Sequence, residues 1–148
     1  MPVEIELHGL EETIEKMKES PRALRRLMKL GMENSLLALW ENVPPYPRKP
    51  ADSTYDRKGI LGKTLGVDMN GGKISTKPDI YRVIDRAEQF EGQFGTKLRY
   101  APYVIGDVEQ ARVHRGRWWT MSKIAENAKD KITQIWDRLV EEIAKRFD

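Results

Sequence analysis

The segment His114-Arg115-Gly116-Arg117-Trp118-Trp119 concentrates the residue types best suited to recognition or chemistry. Arginines neutralise phosphates and aromatic rings stack on bases, so this run is the best nucleic-acid candidate in the chain. The structural alternative is that Trp118 and Trp119 anchor the C-terminal helix to the sheet while the arginines are solvated. That alternative is favoured over direct base stacking, and it leaves the loop a weaker electrostatic role. The only histidines, His8 and His114, sit in no ligand-spaced cluster, so exposed polar histidines are expected rather than a metal site. Gly59-Ile60-Leu61-Gly62-Lys63-Thr64 ends like a phosphate-binding loop but lacks the four-residue gap between its glycines. Asn70-Gly71-Gly72-Lys73 reads as a hairpin turn. Carboxylates are plentiful but lie beside bases on helical faces, as at Glu12-Lys16, or form like-charged i,i+4 pairs, as at Glu15-Glu19, Glu126-Asp130 and Asp137-Glu141. Asp85 and Glu88 near Arg82 and Arg86 read as surface pairs. No catalytic, cofactor or metal constellation is expected.

Composition bounds what can position such groups. A chain of 148 residues, 39% apolar and 33% charged, is the size of one domain. Without cysteine it has neither disulfides nor thiolate metal sites, which fits a protein assembled inside the cell. No apolar run approaches the roughly 18 residues of a membrane span, and Met1-Pro2-Val3-Glu4-Ile5-Glu6 carries acids instead of a signal-peptide core. Net charge is +3. Residues 44–119 hold nine acids and fourteen bases, an excess of +5, while 11–43 and 120–148 are each neutral.

The elements follow from periodicity. Val3, Ile5 and Leu7 alternate with polar residues and predict a short strand ended by Gly9. Leu10 to Glu19 predicts a short helix. Ser20-Pro21 is a helix start signal, Ser as N-cap and Pro at the first helical position. The helix that follows is expected to run to about Val43, burying the stripe Leu24, Leu27, Met28, Gly31, Met32, Ser35, Leu36, Leu39, Trp40 and Val43. Pro44-Pro45-Tyr46-Pro47 stops it. Residues 44–63 hold four of the eight prolines and little periodic pattern. They read as a Pro-rich loop, mobile in the free protein and ordered on assembly. From Thr64 the period changes: Leu65, Val67 and Met69 alternate, Asn70-Gly71-Gly72 turns, and Ile74 and Thr76 start a return strand. Tyr81, Val83 and Asp85 alternate with Ile80, Arg82 and Ile84, and Phe90 to Phe94 is a further strand. Residues 107–117 are a polar loop. Ile124, Ala128, Ile132, Ile135, Trp136, Leu139, Ile143 and Phe147 mark a helix from about Thr120 or Ser122 to Lys145.

Between these lies Phe94-Gly95-Thr96-Lys97-Leu98-Arg99-Tyr100-Ala101-Pro102-Tyr103-Val104-Ile105-Gly106. Pro102 removes a donor and biases Ala101 toward extended backbone. A bent segment is expected, packing Tyr100 and Tyr103 onto a sheet, with Gly106 leading into an exposed loop. The fold class that emerges is α+β: one domain over 1–148, with an antiparallel sheet of four or five strands packed against two long helices.

The order of these pieces resembles a family of tailed-phage structural proteins, the minor tail or head–tail joining (tail-completion) proteins. The resemblance spans nearly the whole chain. It rests on the strand leading into Gly9-Leu10-Glu11-Glu12, the long helix, and the proline loop with Thr54-Tyr55-Asp56-Arg57-Lys58-Gly59-Ile60-Leu61-Gly62-Lys63-Thr64. Tyr100-Ala101-Pro102-Tyr103-Val104 and the closing helix complete it. Arg57-Lys58 separates Asp56 from Gly59, where the family's glycine directly follows an acidic position. The resemblance implies a non-enzymatic virion protein, assembled in the host cytoplasm as a homo-oligomeric ring with other phage head–tail or tail proteins. It implies no cofactor and no membrane.

Within that frame the chain's own charge nominates interface or DNA-facing residues: Tyr46, Arg48, Lys49, Arg57 and Lys58 in the first loop, and Arg112, Arg115 and Arg117 in the second. Contact with genomic DNA would be non-specific. The alternative class is a small basic nucleic-acid-binding protein or toxin-like ribonuclease, which size, a pI near 9.1 and the Arg/His/Tyr content permit.

Overall fold

In a computed structural model of the chain, residues 2–6, 21–86 and 89–147 are described. The expected short helix 10–19, its boundaries at Gly9 and Ser20, His8, the 12–16 and 15–19 pairs and Glu88 lie outside them. Among the described residues the architecture is α+β, with three antiparallel strands in place of the expected four or five. Strand β1 is Pro2–Glu6, β2 is Ile80–Arg86 and β3 is Gln89–Gly95. The order is β1-β3-β2, so β3 is central.

Register explains how so small a sheet holds a core. Val3 and Tyr81 both stand opposite Phe94, and Ile5 and Val83 both stand opposite Gly92. On β2 and β3 the side chains of Tyr81, Val83, Phe90 and Phe94 share one face, since side chains repeat every second residue. Phe90 and Phe94 are buried there. The other face is polar: Arg82 Nε donates to Gln93 Oε1 at 2.6 Å, Gln93 donates to Glu91 at 3.1 Å, and Arg86 pairs with Glu91 at 3.4 Å. Asp85 pairs not with its own strand but with Arg25.

Helix α1, Pro21–Glu41, starts at the proline and stops just short of the expected Val43. Asn42 closes it, its backbone N–H on Leu39 O and its side chain on Ala38 O. The predicted stripe is the buried one, from Leu24 to Val43. The long C-terminal helix, Met121–Phe147, packs along α1. Gly31 makes the approach possible: a Cβ there would lie 2.8 Å from both Trp136 and Leu139. Trp136 Nε1 then donates to the buried Ser35 Oγ at 2.9 Å. One core cluster, Leu24, Met28, Met32, Phe90, Leu139 and Ile143, fills this end.

The expected strands after Thr64 give way where the chain turns at Gly66. Residues Ile60–Thr64 form helix α2, so the last part of the expected loop is helical. Gly66 follows at φ +77°, a left-handed turn that breaks the alternation of Leu65, Val67 and Met69. The Asn70-Gly71-Gly72 turn does form, closed by Asp68 Oδ1 accepting from Asn70 and Gly72 N–H. Only the single bridge Val67–Lys73 survives of the expected pair. Leu65 and Val67 are fully buried, joining Leu61, Phe94, Ile105, Met121 and Ile124 in the second core cluster.

The segment after β3 also differs from expectation. Ala101–Ile105 is a short helix, α3, with Pro102 in its first turn, where the absent N–H costs nothing. Its buried residues are Ala101 and Ile105, and Tyr100 and Tyr103 face solvent instead of the sheet. The small residue and the isoleucine fill the core because one helical turn places them on the same side. We number the C-terminal helix α4.

Candidate functional site

The proline run leaves α1 in extended form, and Tyr46 fixes where it goes. Its N–H donates to Met69 O at 2.8 Å, and its hydroxyl accepts the Gly62 N–H at 2.7 Å. Gly62 permits this closeness, because a Cβ would meet the Tyr46 ring at 3.3 Å and Val67 O at 2.9 Å. The ring of Trp118 sits edge-on to Tyr46 at 4.8 Å. The Arg57 guanidinium lies 5.8 Å from the Tyr46 ring centre and 5.6 Å from that of Trp118, and it donates to Pro47 O. Such cation–π contacts hold a charge in place without neutralising it.

The second loop is tied to the first at two further points. Trp119 Nε1 donates to Pro45 O at 3.1 Å, and Arg117 donates to Arg48 O at 3.2 Å. Gln110 braces the loop internally, donating to Val104 O and Trp118 O. Trp118 and Trp119 therefore anchor the start of α4, but to the proline loop and not to the sheet as the sequence suggested, and Arg117 is engaged in the same seam.

Together the loops enclose an open cavity of about 380 Å³. Its floor is Tyr46, Leu61, Val104 and Trp118, and its charged groups are Lys49, Arg57, Lys58 and Arg117. Tyr55 and Tyr100 also line it, and no carboxylate stands among its described lining residues. Five of the eight nominated residues meet here: Tyr46, Lys49, Arg57, Lys58 and Arg117. Arg48 contributes its carbonyl. Arg112 begins the short 3-10 turn Arg112–His114, and Arg115 follows it with Nε on Gln110 O; neither side chain lines the cavity. The nomination missed Tyr55, Tyr100 and His114 as wall residues. All three carried a signal, since each lies in a segment already singled out.

Burial raises the Tyr46 and Tyr100 hydroxyls above the ordinary phenol range, so both are protonated donors at neutral pH. His114 is displaced the other way. Burial lowers its pKa, helped by the positive charge of Arg117, and its Nδ1 is buried without a hydrogen-bond partner. The sign of the linkage follows. A histidine whose folded pKa lies below its unfolded value near 6.5 favours folding when neutral, and that contribution is lost as pH falls through and below 6.5. Unfolding midpoints measured from pH 7.5 to 5 should therefore fall more steeply for the native protein than for His114→Gln.

Among the described residues, no group of three His, Asp or Glu side chains is placed to hold a metal ion, and no helix is long and apolar enough to cross a membrane. No protein-family model, curated protein or solved structure matches this chain.

Proposed function

We propose that this protein is a structural subunit of a tailed-phage or prophage particle, acting in head–tail joining or tail completion through protein–protein contacts. One observation carries the reading. The two loops converge with α3 on one cavity, and six of the nine exposed large apolar side chains among the described residues belong to these three segments: Tyr55 and Ile60 on the first loop, Val108 and Val113 on the second, and Tyr100 and Tyr103 at α3, with Tyr55, Ile60 and Tyr100 lining the cavity. Apolar side chains gathered beside a built cavity mark a contact face. The order of sequence motifs supplies the particle to which that face belongs.

A ring built from identical subunits needs two different surfaces on each. A separate depression between α1 and α4 supports that requirement. It is lined by Leu30, Leu37 and Ile135, with Glu41, Lys131 and Arg138 beside them, and shares no residue with the loop cavity. The basic excess of the central region suits a ring whose loops approach the DNA path through phosphate charge alone. The nucleic-acid alternative loses ground at Trp118, whose ring is already engaged by Tyr46, Arg57 and Trp119.

The test is complementation of a phage lacking the gene. Charge reversal at Arg112, Arg115 and Arg117 should leave the circular dichroism spectrum unchanged while reducing infectious particles by at least tenfold. Full complementation by that variant would remove the loop from the contact face. RNA cleavage by purified protein, lost in His114→Gln, would replace this reading with the ribonuclease.

A further inference from the structure

The loop cavity is unusual in its hydrogen-bonding inventory. Its charged side chains are all cations, and its hydroxyls, on Tyr46, Tyr55, Tyr100 and Ser53, can all donate. The Tyr46 oxygen already accepts the Gly62 N–H, which leaves its own proton free to point outward. A wall of donors without a carboxylate is complementary to an anion with several acceptor oxygens. Beneath it, Leu61, Val104 and Trp118 form an apolar floor. The best occupant therefore combines carboxylates or phosphates with an apolar or aromatic group.

The surroundings decide between a peptide and a nucleic acid. Val108 is 89% exposed and Val113 67%, both on the loop that carries His114 and Arg117 into the cavity, and Ile60 stands exposed on the other side. Aliphatic side chains find partners on a polypeptide, whereas a nucleic acid offers them little beyond sugar and methyl groups. Exposed tyrosines beside arginine and aliphatic residues are the composition of a protein contact. Trp118, the strongest stacking platform here, has its ring engaged.

We propose that the cavity between the two loops is a docking site for an acidic peptide segment of a partner protein, its carboxylates on Lys49, Lys58 and the tyrosine hydroxyls and an apolar side chain against Val104 and Leu61 on the floor. The proposal rests on the reading of the loop face as an assembly surface, and it adds the chemistry of what that surface takes.

The probe is the blocked pentapeptide Glu-Leu-Asp-Phe-Glu, titrated calorimetrically into the full-length protein. Its uncharged counterpart Gln-Leu-Asn-Phe-Gln and decathymidylate are titrated alongside. The acidic peptide should bind at least tenfold more tightly than the uncharged one, and its affinity should fall with added salt. Lys49→Glu with Lys58→Glu should weaken it at least tenfold, and Tyr55→Ser about threefold. All three side chains are exposed or on the rim, so the fold should survive. Lys131→Glu, in the α1–α4 depression, should bind as the native protein does. Equal binding of the two peptides, tighter binding of decathymidylate, or indifference to the Lys49 and Lys58 changes would each overturn the proposal. Selective peptide binding by a protein that proves dispensable for phage particles would keep the site and remove the particle. Dispensable Lys49 and Lys58 in a protein essential for particles would do the reverse.

Discussion

Replacing Trp136 by alanine should destabilise the protein by about 3 kcal/mol, the lower end of the range for truncating a large core aromatic. The ring packs where Gly31 leaves room for it, against the cluster that contains Leu139. Its Nε1 proton satisfies Ser35, a hydroxyl with no exposure to solvent. Truncation removes the apolar contacts and takes away a partner from a buried polar group, and both losses have the same sign. The control is Arg115→Ala. Arg115 is exposed and makes one long hydrogen bond, 3.3 Å, to Gln110 O, so its loss should stay within roughly 0.5 kcal/mol. Denaturant midpoints of the two variants settle it. Equal losses would mean that the α1–α4 contact does not hold the domain together.

Gly66→Ala should cost about 2–5 kcal/mol. The backbone there is left-handed, at φ +77°, which penalises any Cβ by roughly 1–2 kcal/mol. The added carbon would also lie 2.6 Å from Trp40 Nε1 and 2.9 Å from Pro78. Overpacking of this kind adds about 1–3 kcal/mol. Neither neighbour can retreat cheaply, because Trp40 Nε1 is hydrogen-bonded to Gly66 O at 2.8 Å and the proline ring is rigid. Gly116→Ala separates the two causes. Gly116 has the same left-handed backbone, φ +76°, but nothing stands within 4 Å of its absent Cβ. Its cost should be near 1 kcal/mol, from backbone strain alone. Matching losses at the two glycines would show that Trp40 and Pro78 yield freely.

These two positions also mark where the sequence was legible. The long helices were readable because each obeys one strong local rule: a proline start at Pro21, a proline stop at Pro44, and apolar residues every three or four positions. The alternation of Tyr81 and Val83 with Ile80 and Ile84 was readable too, and all four are half-buried, so both faces of β2 are partly covered. The extra strands were misread because Leu65-Gly66-Val67 alternates in sequence, while the left-handed turn at Gly66 is a tertiary choice made by Trp40 and Pro78. Tyr100 and Tyr103 were misplaced because Pro102 was read as an extended-chain signal. In the first turn of a helix it serves equally well, and the helical turn puts Ala101 and Ile105 inside instead.

The site was half legible. Proline and charge singled out 44–63, and the polar loop 107–117 was singled out with the Arg/Trp cluster at 114–119. Their convergence was not legible, since the contacts between Tyr46 and Trp118 and between Pro45 and Trp119 join residues more than seventy positions apart. Periodicity says nothing about pairs at that separation. Arg57 shows the gap most clearly. It was nominated as an interface or DNA-facing charge from its loop position alone, and nothing in the sequence placed it over two aromatic rings at the seam between the loops.

The central claim is that this protein builds particles. Its most direct test is to delete the gene from a phage or inducible prophage that carries it and count particles by electron microscopy, with and without the gene supplied in trans. The account predicts heads and tails that fail to join, or tails left incomplete, with infectious particles restored by the native gene. Normal, tailed, infectious particles in the absence of the protein would contradict it.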